Sequence, residues 1–94
     1  MNNKHIEYNF PLRVGEEIVS YDVLFDHHID DHYTFIYVYR RAFDKDGNLI
    51  TRLDGNERVL IDSFEIRDSN EEMLTEDYAR SYLAQLLKAM KGHY

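Results

Sequence analysis

The chain contains no cysteine and no tryptophan, and only one proline and four glycines among 94 residues. Without thiols it offers no disulfide framework, no thiolate zinc or iron–sulfur site and no cysteine nucleophile, so packing alone must hold it together. With so little proline and glycine, and no repeat or low-complexity tract, nothing marks an internal linker, which predicts a single domain over residues 1–94. No apolar run approaches the ~18 residues of a membrane-spanning helix. The opening Met1-Asn2-Asn3-Lys4-His5 lacks the apolar stretch of a signal peptide, so a cytoplasmic protein without membrane contact is expected. The length is too short for a two-lobed enzyme, a multi-repeat solenoid or an eight-fold strand–helix barrel.

Cations are scarce as well: 11 Lys and Arg stand against 18 Asp and Glu, for a net charge of −7. Phosphate contacts need clustered basic side chains, so direct nucleic-acid binding is not expected. The acid falls in two blocks. Glu16, Glu17, Asp22, Asp26, Asp30 and Asp31 occupy residues 16 to 31 with no Lys or Arg. Asp62, Glu65, Asp68, Glu71, Glu72, Glu76 and Asp77 follow between 62 and 77, opposed only by Arg67. Acidic surfaces commonly serve solubility. Two separate blocks also suit a negative face that meets a basic partner, provided folding brings them together.

What the chain does have is a supply of core formers. Apolar residues make up 44% and aromatics 14%, with eight Tyr and five Phe, enough to order a domain. Period-two alternation dominates up to Arg67 and predicts strands. Ile6, Tyr8 and Phe10 alternate over 5–10, and Pro11 ends that strand or marks it as an edge. Over 17–25, Val19, Tyr21, Val23 and Phe25 share one face, with Ser20 and Asp22 on a face expected to see solvent. Over 32–43, Tyr33, Phe35, Tyr37 and Tyr39 oppose Ile36, Val38 and Ala42, the mark of a central strand. Shorter patterns predict strands at 49–53 and 58–67, the last with a change of phase near Asp62 that suggests a bulge. Hairpin turns are expected at Asp44-Lys45-Asp46-Gly47-Asn48 and Asp54-Gly55-Asn56.

After Arg67 the period becomes helical. Ser69 with Glu72 fits a capping box, but Thr75 followed by Glu76 and Asp77 is the better start for a helix over 75–91. Tyr78, Tyr82, Leu83, Leu86, Ala89 and Met90 form its apolar stripe, Lys88 and Lys91 suit its C-terminal dipole, and Gly92 its cap. The expected fold is thus α+β: an antiparallel meander of four or five strands with one C-terminal helix packed on one face. One helix cannot cover thirteen aromatics, so the Tyr-rich face is expected to meet a partner or a second copy.

Motifs for chemistry are thin. Asp26-His27-His28-Ile29-Asp30-Asp31-His32 offers His27, Asp30 and His32 as candidate metal ligands, yet matches no zinc spacing and reads first as a solvated loop. The 44–48 segment resembles the start of a calcium-binding EF-hand loop but has Leu49 where glycine and Gly55 where glutamate is required; a tight turn accounts for it. Ser20, Ser63 and Ser69 sit in no nucleophile motif, and there is no glycine-rich phosphate loop. Arg40-Arg41 reads as charge balance. No catalytic residue and no cofactor is implied. The expectation is a small acidic protein-binding module, an inhibitor or sequestering protein of the kind found among phage anti-defence proteins, immunity proteins and DNA mimics. The partner-facing residues expected are Asp26, Asp30, Asp31, Glu71 and Glu72, with Tyr33, Tyr37 and Tyr39 as aromatic anchors. A self-associating accessory subunit is the alternative.

Overall fold

The computed structural model describes residues 2–50 and 58–91. Strands β1 (Asn3–Val14), β2 (Glu17–His28), β3 (Tyr33–Phe43) and β4 (Val59–Arg67) pair in that order, each antiparallel to the next. A single 3-10 turn at Glu71–Met73 precedes helix α1 (Glu76–Lys91). The α+β meander expected from the sequence is the fold, with four strands among the described residues. Of the strand expected at 49–53, Leu49 makes only an isolated bridge to Phe43; residues 51–53, the Asp54-Gly55-Asn56 turn and Gly92 lie outside the described residues.

Two strands outrun their expected ends. β1 continues through Pro11, which pairs with Ser20 on an outer strand where a missing N–H costs no ladder bond. β2 continues through Asp26, His27 and His28, so the turn to β3 shrinks to residues 29–32. Those three residues look loop-like by composition, but His27 faces Thr34 and His28 faces Tyr33, and cross-strand pairing overrides local preference. The phase change near Asp62 is a bulge: Val38 faces Asp62 and Tyr39 faces Leu60, leaving Ile61 unpaired.

Alternation sends Ile6, Tyr8 and Phe10 of β1, Val23 and Phe25 of β2, and Ile36 and Val38 of β3 to one face of the sheet, where Leu74, Ala79 and Leu83 complete the core. Thr75 caps the helix, its hydroxyl accepting from the Tyr78 amide at 3.1 Å. The buried helix positions are Ala79 and Leu83, whereas Ala89 and Met90, assigned to the stripe by periodicity, are exposed. Spacing fixes a helix face but not where along its length the helix meets the sheet. Two tyrosine hydroxyls tie the layers together, Tyr8 to the Leu74 carbonyl at 3.0 Å and Tyr82 to the Asp62 carboxylate at 2.6 Å.

On the same face, near the end of the β2–β3 hairpin, a polar chain is buried. His27 Nδ1 lies 3.0 Å from Thr34 Oγ1, which lies 2.7 Å from Ser69 Oγ. The Ser69 amide in turn donates to the His32 carbonyl at 2.8 Å. His32 and Asp68, which bracket this contact, both adopt left-handed backbone with φ of 54°. The chain therefore clasps the hairpin tip to the segment leading into the helix. Thr34→Val keeps the shape and removes the shared hydroxyl, leaving the buried His27 Nδ1 without that partner and Ser69 Oγ with the Ile66 carbonyl at 3.4 Å alone; a loss of about 1–3 kcal/mol is expected in urea unfolding. A change within about 0.5 kcal/mol, the range of an ordinary surface substitution, would contradict this role.

Candidate functional site

The clasp brings part of each acidic block to one end of the sheet, while Glu16 and Glu17 of the first block lie at the opposite end, in and after the β1–β2 turn. Asp30 and Asp31 lie in the β2–β3 turn, Asp68 follows β4, and Glu71 and Glu72 form the 3-10 turn beyond Ser69. Lys4 and Arg67 are the basic residues of the strand ends here. Lys4 is engaged by Glu71, whose carboxyl it holds below the ordinary glutamate range by hydrogen bond and charge, against a smaller opposing effect of burial and with a further small pull from His27. Stability from this pair is complete above the ordinary glutamate pKa and lost as pH falls through the lowered one. Asp30, Asp31, Asp68 and Glu72 make no ion pair among the described residues.

Tyr33 reports the same convergence on the face away from the helix. Its phenol is pushed above the ordinary tyrosine range first by burial, then by Asp31, Glu65 and Asp26, carboxylates from both blocks. Its ring stacks on His28 at 4.3 Å and meets Phe35 edge-on at 5.3 Å, and Phe35 leads to Tyr37 at 6.2 Å. The expected anchors thus form a half-exposed aromatic row, except that the Arg58 guanidinium lies over Tyr39, 4.1 Å from its centroid.

Not all the acid is free. Asp22, expected to be half in solvent, is 0% exposed. Arg41 reaches it at 2.7 Å and Arg58 at 3.3 Å, with Asn9 at 2.7 Å and Ser20 at 3.1 Å completing its bonds. A carboxylate loses too much hydration to be buried alone, and two guanidiniums on neighbouring strands supply the compensation. Partial desolvation disfavours charge on Arg58, but its bonds to Glu7 and then Asp22 outweigh that and raise its pKa. Asp26 is flanked by His5 Nε2 at 3.1 Å and His28 Nε2 at 3.4 Å, so it is the one expected partner-facing acid of the first block with close imidazole neighbours.

The proposed metal ligands are not gathered. His27 points into the interior and bonds Thr34, while Asp30 and His32 are exposed in the turn. Among the described residues no group of three or more His, Asp or Glu side chains is placed to hold a metal ion. The 44–48 segment is a turn: the Asp44 carboxylate accepts from the Asn48 and Asp46 amides at 2.9 Å each, which lowers its pKa, and Gly47 takes φ of 85°. An open groove of about 480 Å³ runs between β1 and α1 and is lined by Phe10, Leu12, Leu83 and Leu87; its charged members, Glu76 and Arg80, bond each other and supply no acid–base pair aimed into it. Ser69 is buried within the clasp. Sequence reasoning missed Thr34 and Ser69 because a hydroxyl inside a strand or before a turn carries no signal until its partners are known.

No family model, curated protein or solved structure matches this chain. No helix among the described residues is long and apolar enough to cross a membrane.

Because Tyr33 senses three separate carboxylates, neutralising them lowers its pKa. In a ¹³C-tyrosine NMR titration, Asp31→Asn with Glu65→Gln is expected to move Tyr33 back toward the ordinary tyrosine value. An unmoved Tyr33 would mean that the two blocks do not meet there.

Proposed function

We infer that this protein is a small binding module that captures a basic protein partner through the acidic end of its sheet. The observation that carries the reading is the clasp between Ser69 and His32, which sets the turn bearing Asp30 and Asp31 beside the segment bearing Asp68, Glu71 and Glu72. Uncompensated carboxylates on a fixed scaffold favour a cationic surface and accelerate its encounter over long range. Tyr33, between Asp26, Asp31 and Glu65, supplies apolar area within the same patch and is the anchor of choice. Tyr37 extends it, and Tyr39, held under Arg58, serves the scaffold. The mode of action fits inhibition or sequestration, as in immunity proteins, phage anti-defence proteins and DNA mimics, because the site offers charge and aromatic surface together.

The test is capture from the native cell with two baits, the natural chain and a variant carrying Asp30→Asn, Asp31→Asn, Glu71→Gln and Glu72→Gln. A partner with a basic surface is expected on the natural bait alone, releasing between about 50 and 300 mM salt as screening shortens the reach of charge. Capture of the same proteins by both baits, or release unaffected by salt, would count against the acidic end as the binding site.

A further inference from the structure

The two edges of the sheet are unequal. β1 is blunted in the ways edge strands commonly are, by Lys4, Arg13 and Pro11. β4 has no lysine and no proline over Val59–Arg67, and nothing among the described residues pairs with its outer side. It also carries large apolar side chains in the open: Phe64 is 57% exposed and Leu60 49%. The ring of Phe64 lies against Tyr82 of the helix, 6.5 Å between centroids, so aromatic surface continues from the edge onto α1. The charge along the strand is small, with Arg67 against Asp62 and Glu65, in a chain whose net charge is −7. A second copy meets less like charge along this edge than at the acidic end.

We propose that two copies of this chain pair antiparallel along β4, about a two-fold axis at Phe64, into one eight-stranded sheet. In that register Phe64 faces the same residue of the second copy, Glu65 faces Ser63, Asp62 faces Ile66 and Arg67 faces Ile61. No like charges stand directly opposite, and same-face pairing is kept because each pair sums to an even number. Shifting the axis to Glu65 sets two glutamates face to face, and shifting it to Asp62 does the same with two aspartates. The axis stands perpendicular to the sheet, so both helices lie on one face. α1 packs mainly against β1 and β2 and reaches the joining edge through Tyr82, at Asp62 and Phe64. The two Phe64 rings then sit between the two Tyr82 rings, covering what each copy leaves exposed. This pairing uses a different surface from the acidic end and is independent of the reading above.

The absence of native cysteine makes the register directly testable. Residues facing each other across an antiparallel pair have Cα atoms about 4.5–5.5 Å apart, within the span of a disulfide. Phe64→Cys is expected to give a covalent dimer on mild oxidation, whereas Leu12→Cys, exposed to a similar degree on the β1 edge, gives only the slow random background. Light scattering of the natural chain at about 10–500 μM is expected to show dimer forming with concentration, and Phe64→Lys, with an unchanged circular-dichroism spectrum, to stay monomeric. A natural chain that is monomeric throughout, cross-linking no faster at 64 than at 12, or a dimer that Phe64→Lys leaves intact would each overturn the proposal.

Discussion

The amide of Ser69 and the carbonyl of His32, 2.8 Å apart, are the contact on which the rest of this molecule turns. A meander leaves its hairpin tips free, and a helix that follows the last strand needs a fixed point from which to double back over the sheet. Here one hydrogen bond, backed by the buried His27, Thr34 and Ser69 chain, serves both needs. Its setting carries backbone strain, with His32 and Asp68 both left-handed. Such conformations cost about 1 kcal/mol or more and persist only where surrounding contacts over-determine them. Through this point Leu74 reaches the core and Thr75 is placed to start the helix.

The same contact divides the acid of the chain into two populations. Asp22 is withdrawn from solvent and answered by Arg41 and Arg58, with Glu7 attached through Arg58. This group knits β1, β2, β3 and the start of β4 on the face without a helix, where apolar cover is incomplete. Buried ion pairs add little net stability over apolar packing, but they fix which strand lies beside which. The carboxylates of the turn and of the segment after β4 have no such answer among the described residues, apart from Glu71 with Lys4. Charge that is neutralised serves the sheet, and Asp30, Asp31, Asp68 and Glu72 stand together at one end of it.

The order and faces of the strands were legible because alternation over Val19 to Phe25 and Tyr33 to Ala42 has period two, and a one-residue slip would bury the wrong set. The Thr75 cap and the bulge near Asp62 were legible for the same local reason. What local signals missed depends on partners distant in the chain. Asp22 looks exposed until Arg58, thirty-six residues on, is seen above it. His27 looks like a loop ligand until Thr34 and Ser69 surround it. Asp30 and Glu72 are forty-two positions apart in sequence, and nothing in either block says that they share an end rather than a face.

That shared end is the centre of the account, and a paramagnetic label measures it most directly. With no native thiol, Asp30→Cys carries a nitroxide at one site. The account predicts broadening of the amides of residues 68–73 and of the first residues of β1, and none at Gly15 or Glu16, which lie about 35 Å away along the strands. Sharp signals at 68–73 in a folded, labelled protein would mean that the turn and the helix start are apart, and the acidic end would cease to exist as a site.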